Sequence, residues 1–205
     1  MPSSFRRPFT LRPHDALGVW ESNNRRYRAY AKELLVDLEE VCTKVLTEWP
    51  PEDGASIKDP LAHPEMWKLA RLRDRTSDSI RIYAAMAVEG FLNFYGVLRL
   101  GQIVFDEHFE RKGLVPKLQS LLLFCDGLQL ERNDELIRLL DSLAQGRNAL
   151  VHPKAKEVVG EPLKHKATST KVPEVAREAV ARMESFFEKF AELVPLASQY
   201  VRAGA

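Results

Sequence analysis

The sequence predicts an all-α protein, a single-domain bundle of about five helices, and three observations predict it. Apolar residues recur at spacings of three and four through most of the 205 residues, the period of a helix with one buried face. No stretch alternates apolar and polar residues long enough to make a convincing strand. Prolines and glycines gather in a few places and leave long uninterrupted segments between them. A chain of this length buries a sizeable core without staples.

The first expected helix covers residues 24 to 48, where Tyr27, Ala31, Leu34, Leu35, Leu38, Val41, Cys42 and Val45 form one apolar stripe. It stops at "WPPEDGASIKDPLAHPE", whose four prolines and one glycine exclude regular structure and place His63 in a surface loop. The second runs from about Pro64 to Leu100, and its half "IYAAMAVEGFLNFYGVL" is apolar on nearly every face, as expected of a central element. Glu89 is the only carboxylate or base between Arg81 and Arg99. Two readings stand open for it: a buried carboxylate with a cationic partner, most naturally Arg147, or a residue wetted at a gap between helices.

A third helix is expected over Leu114 to Asp126, closed by Gly127. The fourth is expected to begin at Asn133, which can cap free backbone N–H groups, with Leu136, Leu139, Leu140 and Leu143 as its buried stripe. Arg147 continues that stripe, four residues after Leu143 and three before Leu150, so its guanidinium is expected to point towards the core or a subunit interface, with a kink expected at Gly146. The final helix starts near Pro173, a residue suited to a first turn, and runs to the C-terminus with Pro195 as a bend.

Composition excludes several function classes. Cys42 and Cys125 are the only cysteines, far apart and in apolar surroundings, without the spacing of a zinc site or redox pair. They read as reduced core thiols, and no metal or cofactor is expected. The segment 1–22 is a basic, poorly structured arm carrying Arg6, Arg7 and Arg12, with no apolar signal region. No segment offers eighteen uncharged apolar residues in a row, so the chain is expected to be cytoplasmic, with no membrane. The net charge of +1 neither selects nor excludes nucleic acid, so any such binding uses local patches: the arm, and the basic loop 153–172, where "PKAKEVVGEPLKHKATSTK" holds five lysines against two glutamates.

The stretch "GRNALVHPK" at 146–154 is where chemistry concentrates. Arginine offers a planar fork of donors to phosphate oxygens, and histidine exchanges a proton near neutral pH, the two groups most needed for metal-free phosphodiester cleavage. Five residues apart on a helix, the two side chains of Arg147 and His152 diverge by about 140° and lie about 7.5 Å apart along the axis. One copy therefore makes a poor site, whereas two copies about a twofold axis surround one phosphate. Pro153 pushes His152 out of helical geometry, to the helix end.

R-N-A-L-V-H at 147–152 resembles the signature of the HEPN domain family, an Arg followed by a polar residue and, four to six positions after the Arg, a His. The resemblance spans residues 65 to 200, with only the six-residue motif specific, and implies an HEPN-like helical bundle acting as a homodimer. It further implies a metal-independent endoribonuclease, cleaving RNA through its 2′-hydroxyl in a toxin-antitoxin or antiviral defence system, with an antitoxin or other defence protein as partner. Carried onto this chain, Arg147 stabilises the scissile phosphate and His152 is the general base or acid. Asn148 orients the His or holds phosphate, or else caps or bends the helix. Glu89 and Asn93 fix Arg147 from the neighbouring helix, and Lys154, Lys156, Lys164 and Lys166 track the RNA backbone. Lys154 stands where one branch of the family has a tyrosine modified by its antitoxin, which argues against that route of control. The competing class is a non-catalytic helical interaction or RNA-binding module, in which Arg147 is a structural ion-pair partner and His152 merely ends a helix. A nucleotide-binding helper lacks any glycine-rich phosphate loop.

Overall fold

The structure, a computed structural model, describes residues 23–48, 64–152 and 171–202. The expected N-terminal arm, the proline-rich loop with His63 and most of the basic loop, including Lys154, Lys156, Lys164 and Lys166, lie outside the described residues. Those described form helices and no strand: α1 (Asn23–Glu48), α2 (Pro64–Leu100), α3 (Gln102–His108), α4 (Leu114–Asp126), α5 (Glu135–Val151), α6 (Lys171–Leu193) and α7 (Ser198–Arg202), with a 3₁₀ turn at Pro195–Ala197.

At 37 residues α2 is the longest element, about 55 Å at helical rise, and it packs against α1, α3, α4, α5 and α6. Ala84, Ala85 and Ala87 are wholly buried on it, and such small side chains let neighbouring helices approach from several sides. Its later turns carry larger ones: Phe91 meets Phe187 and Phe190 of α6 edge to face at 5.3 and 4.9 Å between ring centres, and Tyr95 meets Phe190 at 5.1 Å, the geometry favoured by aromatic quadrupoles. One continuous core cluster draws on all seven helices.

Among the described residues, seven helices stand where about five are expected. α3 escaped because seven residues carry too little periodicity to stand out. It exists because Gly101, at φ 82°, turns the chain sharply after α2, and because Gly96 leaves room for Phe105: a Cβ at Gly96 would lie 2.4 Å from that ring. α4 ends as expected at Gly127, left-handed at φ 67°. Its N–H donates to the Leu123 carbonyl and that of Leu128 to the Leu122 carbonyl, each at 3.1 Å, the first being the bond that closes an αL cap.

Three further details differ. The residue preceding α5 is Asp134, not Asn133, and the Asp134 carboxylate turns back to accept the Glu131 N–H at 2.6 Å rather than capping the helix. Leu136, Leu140 and Leu143 are buried but Leu139 is only half-buried, with Ile137 taking its place inside. α6 begins at Lys171, two residues before Pro173, and breaks at Val194–Pro195, where the proline lacks the N–H to continue it. Gly146 does not interrupt α5, which runs unbroken to Val151.

Candidate functional site

Arg81, Ala85, Glu89 and Asn93 follow one another at intervals of four along α2 and so form one row on its surface. α5 lies along the first part of this row. The Arg81 Nη2 donates to the Gly146 carbonyl at 3.3 Å, while its Nη1 donates to Asp78 at 3.3 Å. One residue on, the Arg147 Nη1 donates to the Glu89 carboxylate. Wholly buried Ala85 separates the two polar contacts. Arg147 and Glu89 keep 26% and 33% of their side-chain surface exposed, so the pair forms a half-open seam between α2 and α5 rather than a buried charge cluster.

Asn148 completes the arrangement around Arg147. Its Oδ1 accepts from the Arg147 Nε at 3.3 Å and from Nη2 at 3.2 Å, leaving guanidinium N–H groups over for a further acceptor. Asn148 is therefore a side-chain partner of Arg147, its immediate neighbour on α5. His152 ends α5 with φ −124° and ψ 63°, its backbone N–H donating to the Asn148 carbonyl at 2.9 Å. The departure from helical ψ is what a following proline imposes. His152 is exposed, as are Ala149 and Val151 beside it.

Asn93 does not reach Arg147, contrary to the expectation from sequence. Its Oδ1 accepts from the Lys117 Nζ of α4 at 2.7 Å, because the row on α2 passes from under α5 to under α4. Lys117 is only 1% exposed, and its ammonium lies 5.6 Å from the centre of the Phe105 ring. Burial pushes its pKa down, and the negative charges of Glu89 and Glu110 recover part of that loss without cancelling it.

Sequence reasoning missed Arg81 and Lys117, and each had a signal. Arg81 lies two steps of four before Glu89. Lys117 falls on the buried stripe of α4 with Leu114, Leu118 and Leu121, at the spacing i, i+3, i+4, i+7 that marks a core-facing position. Among the described residues no group of three His, Cys, Asp or Glu side chains could hold a metal ion, and no helix is long and apolar enough to cross a membrane.

The half-exposure of the Glu89–Arg147 pair limits its worth to stability. Glu89→Gln is expected to lower the unfolding free energy by no more than about 1 kcal/mol, the range of solvent-accessible ion pairs, as measured by urea denaturation. A loss of about 3 kcal/mol or more would show instead that the pair is desolvated in solution. Comparison of the chain with protein-family models, with curated proteins and with solved structures finds no match.

Proposed function

We propose that the protein is a metal-independent endoribonuclease of the HEPN type, acting as a homodimer with the C-terminal ends of two α5 helices at one RNA phosphate. The observation that carries this reading is the tethering of Arg147 by Glu89 and Asn148, five residues before an exposed His152 at the helix end. A guanidinium held from behind by a carboxylate and an amide is aimed with little freedom left to lose, and its remaining N–H groups suit a phosphate oxygen. The exposed Ala149 and Val151 give the end of α5 an uncovered apolar surface, consistent with a second copy docking there.

In this mechanism one His152 takes the proton of the RNA 2′-hydroxyl as that oxygen attacks the adjacent phosphorus. The bond from phosphorus to the 5′-oxygen breaks, and the partner's His152 protonates the leaving oxygen. Arg147 stabilises the extra negative charge of the phosphorane. The products are a 2′,3′-cyclic phosphate and a free 5′-hydroxyl. A toxin-antitoxin or defence setting, with an antitoxin or defence protein as partner, rests on the HEPN resemblance alone, and a cytoplasmic location rests on the sequence reading alone.

The test uses an end-labelled RNA and the same oligonucleotide carrying 2′-deoxyribose throughout, each incubated with the protein in chelator, with sedimentation on the same sample. Cleavage of the RNA to a cyclic phosphate end, resistance of the deoxy substrate and a dimeric mass are expected. Cutting of the deoxy substrate, or activity that appears only when magnesium is restored, would overturn the mechanism. The Glu89–Arg147 bond itself favours a second reading, a non-catalytic helical module with Arg147 as a strut, and RNA binding by a monomer without cleavage is the result that would select it.

A further inference from the structure

We infer that Lys117 is a positioning residue of this site, whose buried ammonium, bonded to Asn93 one helical turn from Glu89, lets Glu89 anchor Arg147 without cancelling its positive charge. The inference rests on the ribonuclease reading and adds to it a residue that lies outside the Arg-His motif and on a different helix.

The charge count states the problem that Lys117 solves. Arg147 and Glu89 form a one-to-one pair, and a neutral pair attracts a phosphodiester poorly. A cation added behind the carboxylate returns the cluster to a net positive charge. Lys117 occupies that place. Its ammonium is tied to Asn93 at 2.7 Å, and Asn93 neighbours Glu89 on the same face of α2, four residues apart. The hydrogen bond is to a neutral amide, so it satisfies a donor without balancing the charge. The balancing charge comes from Glu89 on α2 and from Glu110, which follows α3, the two carboxylates whose fields act on Lys117. Glu110 is exposed, where water screens it. Half-buried Glu89 thus carries most of the compensation: its carboxylate bonds Arg147 on α5, and its field also reaches Lys117 on α4.

The stem of Lys117 fills a core position on α4 between Leu114, Leu118 and Leu121, and Phe105 of α3 covers the ammonium. The charge is therefore held in place by packing, not by a flexible surface tether. An apolar side chain would fit the stripe at least as well, since replacing a buried charge by a hydrophobe of similar volume is often neutral or stabilising. The lysine is dispensable for the core and consequential for the electrostatics of Arg147.

The experiment compares wild type, Lys117→Met, Lys117→Arg and His152→Ala in single-turnover cleavage of a short RNA across pH, with a thermal melt of each variant. Lys117→Met is expected to melt no lower than wild type and to lose on the order of tenfold in cleavage rate, the effect of removing one nearby unit charge in a partly screened medium. Lys117→Arg, which keeps a charge that does not titrate in this range, is expected to recover most of that rate. Wild-type cleavage is expected to decline as the pH rises through the lowered pKa of Lys117, because deprotonation leaves Glu89 free to neutralise Arg147. Lys117→Arg removes that contribution to the pH profile and leaves the one that general acid catalysis itself imposes. If His152→Ala is inactive and Lys117→Met cleaves at the wild-type rate with the wild-type pH profile, the role of Lys117 is overturned and the ribonuclease reading stands. A Lys117→Met protein whose melting temperature falls in step with its activity makes Lys117 a strut of the fold and also overturns the inference. Absence of cleavage by wild type overturns both readings together.

Discussion

His152→Ala is expected to lower the rate of RNA cleavage about 10²-fold to 10⁴-fold, the usual contribution of a positioned general acid or base, while leaving the melting temperature within a degree or two of wild type. Position separates the two effects. His152 is exposed just past the last residue of α5, and its backbone N–H donates to the Asn148 carbonyl, a bond that alanine retains. The substitution therefore deletes an imidazole and leaves the helix end intact. Single-turnover kinetics on an end-labelled RNA, paired with a thermal melt, check both parts. A variant that cleaves at the wild-type rate rules out histidine chemistry at this site. Arg147→Ala tests the complementary group, with the difference that it also strips Glu89 of its cation, so Arg147→Lys is the more informative partner: it keeps a charge and loses the fork that holds Glu89 and Asn148 at once.

The largest expected loss of stability lies elsewhere, at Arg99 and Asp126. The Arg99 side chain is 1% exposed and that of Asp126 10%. The Arg99 Nη1 donates to Asp126 at 2.7 Å and to the Tyr95 hydroxyl at 3.0 Å, its Nη2 donates to the Cys125 carbonyl, and the Tyr95 hydroxyl donates to Asp126. Burial, reinforced by that hydrogen bond to Asp126, drives the Tyr95 pKa far above its ordinary value, so the hydroxyl remains a donor. The group joins the end of α2 to the last turn of α4, and Arg99 satisfies a carbonyl that the helix itself cannot. Asp126→Ala leaves a guanidinium buried beside a dipole, without its counter-charge, and is expected to cost about 3–5 kcal/mol. Urea denaturation measures it. The double variant Arg99→Met, Asp126→Ala is expected to recover a large part of that loss, because no uncompensated charge is then left inside. A single-variant cost below about 1 kcal/mol would mean that water reaches Arg99 in solution.

Periodicity made most of the helices legible, and the reason is that each long helix buries a stripe. α1, α2, α4, α5 and α6 carry apolar residues at helical spacing over thirteen residues or more, enough repeats for the pattern to exceed chance. The boundaries were less legible. Asn133 and Asp134 are both competent caps by chemistry, and the choice fell to the turn before α5, where Asp134 binds the Glu131 N–H instead. α3 depends on the fit of Phe105 against Gly96, a contact between two helices that no local pattern encodes.

The candidate site divides along the same line. The charges themselves are sequence facts: Glu89 stands alone in an apolar run, Arg147 falls on the stripe of α5, and Pro153 bars His152 from helical geometry. For Glu89 the sequence left open a buried carboxylate paired with Arg147 or a wetted residue between helices, and the structure combines the two: Glu89 bonds Arg147 and stays 33% exposed. Which helix covers which turn of α2 is different information. Asn93 bonds Lys117 and not Arg147 because α4, not α5, lies over that turn, and Arg81 meets the Gly146 carbonyl because α5 lies over the earlier one. The sequence by itself determined the five long helices, most of their buried faces and the charged residues set among them, because hydrophobic spacing and backbone sterics are local. Only the tertiary structure decided the partners of Asn93, Arg81 and Lys117, because hydrogen bonds and ion pairs between helices depend on crossing angle and axial offset, which follow from how whole surfaces pack.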